Sequence, residues 1–546
     1  MSLSDNDQKL LEASKKHPVI SLGEGRLYKY GTAGFRMKAD LLDGVCFRVG
    51  LLASLRSRKL GSQAIGVMVT ASHNPPADNG VKIVDPLGDM LEQDWEVYAT
   101  KLVNAPSDEA LVVAYNSLAA QLKIDLDTSA RCIVGRDTRP SGFNLVVALK
   151  DAWEATNTHS ADYKQLSTPQ LHYLTRCINT EGSPRAYGET SEAGYYQKTA
   201  DAFVKALHGK KVSGQVIVDC ANGIGGPKLH EFLKYVPAET GLDVKVVNDD
   251  VLRPEVLNLD CGADFVKTRQ RAPLSPRPVP GVRSCSFDGD ADRLMYYYTS
   301  PTQGFIMLDG DRIATLAASF IGDLLRSAGL EGSLSIGVVQ TAYANGASTQ
   351  YITRNLSLPV LCTATGVKHL HHAAQKFDIG IYFEANGHGT VLFSNTAIAA
   401  FVNTQPQSPA QKEALDILAA CAEMINQTVG DALSDMLMVE VVLAHKNWSM
   451  EDWAVVYTDL PNRLQRVEVP DKDAFKTTDA ERRLVSPQGA QAGIDEAVSK
   501  YTNARSFARA SGTENACRVY AEAATNAEVD ELIKRVVAHI ISVANQ

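Results

Sequence analysis

Apolar residues in this chain gather in short dense runs separated by glycine-rich polar loops, and the runs alternate with stretches of helical period. Ala64-Ile-Gly-Val-Met-Val69 is continuously apolar and too short for a helix, so it predicts a buried strand ending in the loop Thr70 to Asn79. Arg131-Cys-Ile-Val134 reads the same way; Gly-Arg-Asp-Thr-Arg-Pro and a helical pattern near Phe143 to Glu154 follow it. Gln215-Val-Ile-Val-Asp219 is a third strand, running into Ala221-Asn-Gly-Ile-Gly-Gly226 and a helix, and Val244 to Asn248 is a fourth. Ser286-Phe287 enters a loop of alternating aspartates, which Leu294 to Tyr298 leaves as a strand. Leu308-Asp-Gly-Asp-Arg312 then opens a long apolar helix. Beyond it lie a strand at Ser335 to Val339, a loop at Thr365 to Lys368, a strand at Ile379 to Phe383 and a helix near Gln411 to Val429. From about residue 435 the texture changes to β-rich runs, with prolines at 461 and 470 and an amphipathic terminal helix over Glu528 to Val543.

Strand–helix alternation three times over predicts three α/β units with a smaller α+β unit last. Asn179 to Gly194, polar and glycine-rich, reads as a linker. No short tandem repeat is visible, and any common fold among the three units is not legible in their sequences.

Composition narrows the classes. The chain has 546 residues, enough for roughly three to five domains. Hydrophobic residues make up 45% and charged residues 21%, an ordinary globular balance. A net charge of −9 argues against nucleic acid or an anionic membrane as the main partner, so functional positive charge must be concentrated locally. No apolar run is long enough to span a membrane, and the acidic start Met-Ser-Leu-Ser-Asp-Asn-Asp is unlike a signal peptide. Nine dispersed cysteines without a Cys-x-x-Cys pair read as reduced thiols in a cytoplasmic protein, with Cys220, Cys261 and Cys285 buried and inert.

The most specific chemistry lies in Ser286-Phe-Asp-Gly-Asp-Ala-Asp-Arg293. Asp288, Asp290 and Asp292 place three hard oxygen ligands on one short loop, suited to Mg²⁺. A Ca²⁺ EF-hand would require Gly at its sixth position and Glu at its twelfth, where Arg293 and Thr299 stand. A Mg²⁺ site with an open position is completed by phosphate.

Other motifs are weaker alone. Ser72, in Thr70-Ala-Ser-His-Asn-Pro-Pro76 at a strand end, is either a nucleophile beside His73 or a helix N-cap or turn-forming serine; no Gly-x-Ser-x-Gly elbow surrounds it. Lys82 could supply charge or shuttle a proton, and Arg36 closes the turn Tyr30-Gly-Thr-Ala-Gly-Phe-Arg36; both also read as ordinary loop cations. Glu384-Ala385-Asn386-Gly-His-Gly389 puts two alternating polar side chains after a strand, for sugar hydroxyls or for turn chemistry. Arg509-Ala510-Ser511-Gly512-Thr513, with Arg518 beyond, is a donor-rich candidate phosphate clamp. Asn222-Gly-Ile-Gly-Gly-Pro-Lys228 lacks the third glycine of a dinucleotide fingerprint and reads as a tightly packed strand–helix turn.

Taken in order, these motifs resemble the α-D-phosphohexomutase superfamily across nearly the whole chain. Within it they are most similar to the eukaryotic phosphoacetylglucosamine mutase branch. Leu259-Asp-Cys-Gly-Ala-Asp-Phe-Val-Lys267 and Gln340-Thr-Ala-Tyr-Ala-Asn-Gly346 add to the match. The first of these and Glu-Ala-Asn-Gly-His-Gly point to the N-acetylglucosamine branch. Asn386 stands where glucose and mannose mutases commonly place Ser.

The resemblance implies four domains around a central cleft: 1–182 with a phosphoserine loop, 183–299 with the Mg²⁺ loop, 300–432 with the sugar loop, and 433–546 with the phosphate loop. The first three would be α/β units with mixed sheets, the last a mobile α+β domain. Ser72 would carry a phosphate and join Asp288, Asp290 and Asp292 around Mg²⁺. Glu384, Ala385 and Asn386 would bind the sugar, and Arg509, Ala510, Ser511, Gly512, Thr513 and Arg518 the non-reacting phosphate. His73, Lys82 and Arg36 are the proton-transfer candidates. The implied reaction interconverts N-acetylglucosamine 6-phosphate and 1-phosphate for UDP-N-acetylglucosamine synthesis, through a hexose 1,6-bisphosphate that also serves as activator. The partner would be this phosphosugar alone, the chain a monomer or weak homodimer. A glucose or mannose mutase, a silent phosphosugar-binding protein and a Mg²⁺-dependent phosphatase are the rival readings.

Overall fold

The structure is a computed structural model that describes residues 4–23, 25–511 and 515–545. It divides into two compact units, one of residues 1–307 with 420–445, the other of 308–419 with 446–546.

The first unit contains two five-stranded mixed sheets. In the first, strands Phe35–Lys38, Asp78–Val84, Ala64–Val69, Ala130–Arg136 and Thr158–Gln165 lie side by side in that order. The last three run parallel, and Asp78–Val84 returns antiparallel to Ala64–Val69. Ala64–Val69 is buried at every position, as a parallel strand covered on both faces should be. Helix Asp43–Lys59, buried from Gly44 through Arg58, packs against Gly142–Ala155; each buried Leu or Val there contributes about 1.5–3 kcal/mol.

The second sheet orders Gly304–Leu308, Leu294–Ser300, Arg283–Phe287, Gln215–Asp219 and Asp243–Val247. In the second unit a four-stranded sheet orders Val360–Thr363, Ile336–Thr341, Ile379–Phe383 and Gly389–Phe393. It is joined there by an antiparallel three-stranded sheet, Asn462–Glu468, Ala516–Glu522 and Arg505–Ala510, which is covered by the terminal helix Asn526–Ala544.

A common plan unites the first three sheets. In each, one strand ends in a loop, the chain returns as an antiparallel neighbour, and two parallel strands lie on the other side. The hairpins are 64–69 with 78–84, 283–287 with 294–300, and 379–383 with 389–393. Their loops carry Ser72, the three aspartates, and Glu384 with Asn386. The hairpin is the start of the first sheet's parallel set and the end of the other two. This permuted order, with different side chains, hides the likeness from the sequence.

One expectation is corrected. The run near residue 435 read as β-rich forms the helix Ala432–Lys446. Every residue from Ala432 to Leu443 is buried, so the helix has no polar face and its β-branched valines show no 3.6-residue period. Strands begin only at Asn462. Among the described residues no helix is long and apolar enough to cross a membrane. All nine cysteines are free thiols; burial raises Cys220, Cys261 and Cys285 well above the ordinary thiol range.

Candidate functional site

In the first unit the turn after Ala64–Val69 holds Ser72 in the left-handed region, at φ 51°. Its N–H donates to Thr70 Oγ1 at 3.0 Å, and the Thr70 hydroxyl donates to Asp137 Oδ2 at 2.8 Å. Arg139, from the Gly-Arg-Asp-Thr-Arg-Pro segment, ties the loop down. Its guanidinium contacts Asp137 Oδ2 at 3.0 Å and donates to the carbonyls of Ser72, Asn74, Pro75 and Asp78 at 2.6–2.9 Å. Asn258 Nδ2 donates to the carbonyls of Ser72 and Asn74 as well. Ser72 therefore caps no helix; its backbone is fixed so that its side chain can face the acidic loop.

The acidic loop is clasped on several sides. Asp288 Oδ1 accepts the N–H groups of Asp292 and Arg293 at 3.0 and 3.2 Å. Gly289 is required because a Cβ there would overlap the Ser72 carbonyl, and a Cβ on Gly223 would overlap the backbone of Gly289. The turn at Asn222 to Gly226 is thus the tightly packed strand–helix turn that the sequence suggested.

Ser72 Oγ donates to Asp288 Oδ2 at 2.6 Å and lies 3.4 Å from His73 Nδ1. Asp288, Asp290 and Asp292 are all buried and each offers an oxygen within 4.8 Å of the others. Burial first, then the charges of Asp292 and Asp290, push the Asp288 carboxyl well above its ordinary range, with Arg293 pulling the other way. Asp290 Oδ1 is buried and accepts no hydrogen bond from the described residues. Such an assembly of like charges with an orphaned oxygen fits a divalent cation better than it fits any protein partner. Lys82 Nζ stands 3.7 Å from both Asp290 Oδ2 and Asp292 Oδ2, and Arg293 Nε stands 3.7 Å from Asp288 Oδ2. Arg36 is largely buried beside this cluster, its pKa lowered by burial and by Arg293. Burial, Arg293 and Arg36 together lower His73 to about 2, so its ring is neutral. The structure therefore gathers Ser72, His73, Lys82, Arg36 and the three aspartates in one place.

In the second unit the loop after Ile379–Phe383 is a tight turn. The Glu384 N–H donates to the His388 carbonyl at 2.8 Å, and the Gly387 N–H donates to the Glu384 carbonyl at 2.9 Å. Asn386 Oδ1 accepts the His388 N–H at 3.0 Å, and its Nδ2 donates to Glu384 Oε2 at 3.4 Å. The two side chains are adjacent and half-buried, flanking Ala385. A Cβ at Gly310, in the first turn of helix Gly310–Ser327, would overlap the Glu384 carbonyl, which accounts for the glycine in Leu308-Asp-Gly-Asp-Arg312.

Arg509 ends the strand Arg505–Ala510, its Nε donating to the Tyr343 hydroxyl at 3.0 Å and its Nη1 lying 3.4 Å from Glu481 Oε1. The Ala510 strand position and Ser511 follow it; the Ser511 N–H donates to the Ala516 carbonyl at 2.7 Å. Gly512 and Thr513 lie outside the described residues. Arg509 pairs directly with Arg518, and Arg518 pairs with Arg466 on the next strand. Opposed residues of antiparallel strands share a face, so three arginines form one row across the sheet. Like charges in that arrangement repel, and a bound anion relieves the repulsion.

Several of these residues carry no motif signal. Arg466 is found only through strand register. Asn258 acts through backbone carbonyls; Thr70 was visible only as the first residue of the serine loop, and Asp137 and Arg139 only as part of a polar turn after a strand.

Models of known families match four successive segments. "Phosphoglucomutase/phosphomannomutase, alpha/beta/alpha domain I" matches residues 52–108, and "Phosphoacetylglucosamine mutase AMG1, domain II" matches 190–295. Domain III of the latter matches 309–448, and the phosphoglucomutase/phosphomannomutase C-terminal domain matches 464–539. The phosphoacetylglucosamine mutase of Candida albicans is 48% identical, covering 97% of this chain and 98% of that protein. The N-acetylphosphoglucosamine mutase of Aspergillus fumigatus, solved with GlcNAc-6P and magnesium, superposes with a TM-score of 0.95 at 55% identity over 100% of both chains. A serine-to-alanine variant of that enzyme, solved with glucose 1,6-bisphosphate, gives 0.94 at 56% identity, also over 100% of both. With relatives this similar along the full length of both chains, and with family models for four successive domains, the chain belongs to the phosphoacetylglucosamine mutase family of the phosphohexomutases.

Proposed function

We propose that this protein interconverts N-acetylglucosamine 6-phosphate and N-acetylglucosamine 1-phosphate, with Ser72 as the phosphoryl carrier. The observation that carries the reading is the buried contact between Ser72 Oγ and Asp288 Oδ2 at 2.6 Å, within a triad of carboxylates that fits a cation. In the working form Ser72 bears a phosphate. Its phosphoryl group passes to the free 1-hydroxyl of the sugar, giving a 1,6-bisphosphate; after the sugar turns over, its 6-phosphate returns to Ser72. Asp288, Asp290 and Asp292, with a phosphoserine oxygen, would hold Mg²⁺, which when bound supplies positive charge against the transferring group.

The chain's own groups do the rest. Arg139 and Asn258 fix the Ser72 backbone so that attack and departure follow one line. The proton that the attacking sugar hydroxyl loses passes to one of the basic groups beside Ser72, Lys82 and His73 being the candidates. Lys82 and Arg36 add the charge that phosphoryl transfer needs. In the second unit Glu384 and Asn386 recognise sugar hydroxyls, and Arg509 with Arg518, Ser511 and the following two residues holds the phosphate that is not reacting. Nine free thiols suit a reducing, cytoplasmic location.

The test is ³¹P NMR of the protein with Mg²⁺, a trace of hexose 1,6-bisphosphate and GlcNAc-6-phosphate, beside a parallel tube of glucose 6-phosphate. Growth of the GlcNAc-1-phosphate signal, faster than conversion of glucose and without free phosphate, is the expected result. Faster conversion of glucose would move the assignment to a glucose mutase, and release of free phosphate to a phosphatase. No conversion of either sugar would leave a phosphosugar-binding protein.

A further inference from the structure

Behind the acidic loop stands a residue that none of the motifs contains. Thr168 opens the helix Thr168–Thr180, after the N-cap Ser167, whose side chain and Gln170 form a reciprocal capping box. Thr168 and Asp290 are both fully buried, and the Thr168 hydroxyl donates to Asp290 Oδ2 at 2.6 Å. The Thr168 N–H also donates to the Asp290 main-chain carbonyl at 3.2 Å. Asp290 is thus anchored twice by the first residue of a 13-residue helix, whose N-terminal dipole favours negative charge there. Its other carboxylate oxygen, Oδ1, is buried and has no hydrogen-bond partner among the described residues.

We infer that Thr168 is a positioning residue for the metal site: by occupying Oδ2 of Asp290 it stops the carboxylate from rotating and leaves Oδ1 as the oxygen offered to the ion. The inference rests on the proposed Mg²⁺ site and adds to it a support from outside the loop. A short, charge-assisted hydrogen bond of this kind fixes a ligand's orientation. The loop N–H groups of Asp292 and Arg293, by contrast, are spent on Asp288. Lys82, at 3.7 Å from Oδ2, adds charge without a hydrogen bond's directionality.

The test compares the full-length wild type with Thr168→Val, which keeps the side-chain shape and removes the hydroxyl, and Thr168→Ser, which keeps the hydroxyl. The probe is Mn²⁺, titrated without substrate and followed by the electron paramagnetic resonance of the free ion. Loss of such an outer support lowers metal affinity about 10–100-fold, so that drop is expected for the valine variant, with the serine variant within about threefold of wild type. In turnover, the Mg²⁺ concentration needed for half activation should rise for the valine variant while the rate at saturating Mg²⁺ largely recovers. Valine binding Mn²⁺ as tightly as wild type, or serine as weakly as valine, would overturn the inference. If thermal unfolding shows that the valine variant has not folded, Thr168→Ala carries the same comparison. A wild type that binds no Mn²⁺ would instead overturn the metal site itself.

Discussion

The hydroxyl of Ser72 donates to Oδ2 of Asp288 across 2.6 Å, although 215 residues of chain separate the two. The two loops are held together at the backbone. The Ser72 carbonyl is gripped by Arg139 and Asn258 and abuts Gly289, the residue after Asp288. The serine and acidic loops are therefore built as one object from two sheets. Ser72→Ala should abolish conversion of GlcNAc-6-phosphate in the ³¹P assay and leave the thermal unfolding curve close to wild type. Substantial residual isomerisation would rule out the phosphoserine route.

Three carboxylates buried together repel one another until a cation joins them. Asp290→Asn removes one charge, so in EDTA this variant should unfold at a temperature no lower than wild type. The increase in unfolding temperature on adding Mg²⁺, expected for any ligand bound only by the folded state, should largely vanish. An unchanged Mg²⁺ response would place the metal elsewhere.

Arg139 is fully buried and serves Asp137 together with four carbonyls of the Ser72 loop. Truncating one partner of a buried ion pair costs about 3–5 kcal/mol. Arg139→Ala should therefore lower the first unfolding transition sharply in a denaturant titration, and Arg139→Lys should recover only part, since an ammonium cannot reach every acceptor. A neutral alanine variant would show the loop to be held by other contacts.

The row of arginines makes a different demand. Arg509→Ala should weaken binding of glucose 1,6-bisphosphate by calorimetry, while Mn²⁺ affinity, which the proposal assigns to the aspartates, stays at the wild-type value. A parallel loss of Mn²⁺ binding would mean that the variant has disturbed more than the clamp.

His17 joins two helices of the first unit, with Nδ1 2.9 Å from Asp43 and Nε2 3.0 Å from Asp151, and its ring stacks on Phe47. The hydrogen bond to Asp43 raises its pKa above the ordinary imidazole value, against burial. A raised pKa means that the charged ring stabilises the fold fully below the unfolded imidazole pKa. That contribution fades as pH rises through the folded value. The stability gap between wild type and His17→Gln should therefore be wider at pH 5.5 than at pH 8.5, measured by thermal unfolding. An equal gap at both would show the ring to act by packing alone.

The legible part of this protein was its local chemistry. Strands such as Ala64–Val69 and Ile379–Phe383 were readable because a strand buried on both faces leaves an apolar run bounded by glycine and polar residues. Asp288, Asp290 and Asp292 were readable as a cluster because alternate positions of one short segment bring their carboxylates together. The helix Ala432–Lys446 was misread because complete burial erases the period by which helices are recognised.

What the sequence determined by itself was the make-up of the polar loops and the sign of the charge each brings, since both depend on residues a few positions apart. The tertiary structure decided which loops meet and what holds them: Arg139 under Ser72, Thr168 behind Asp290, and Arg466 in register with Arg518 and Arg509. Those pairings join residues tens to hundreds of positions apart through buried hydrogen bonds and strand register. Such contacts leave no periodicity in the chain; only the packing of sheets and helices creates them.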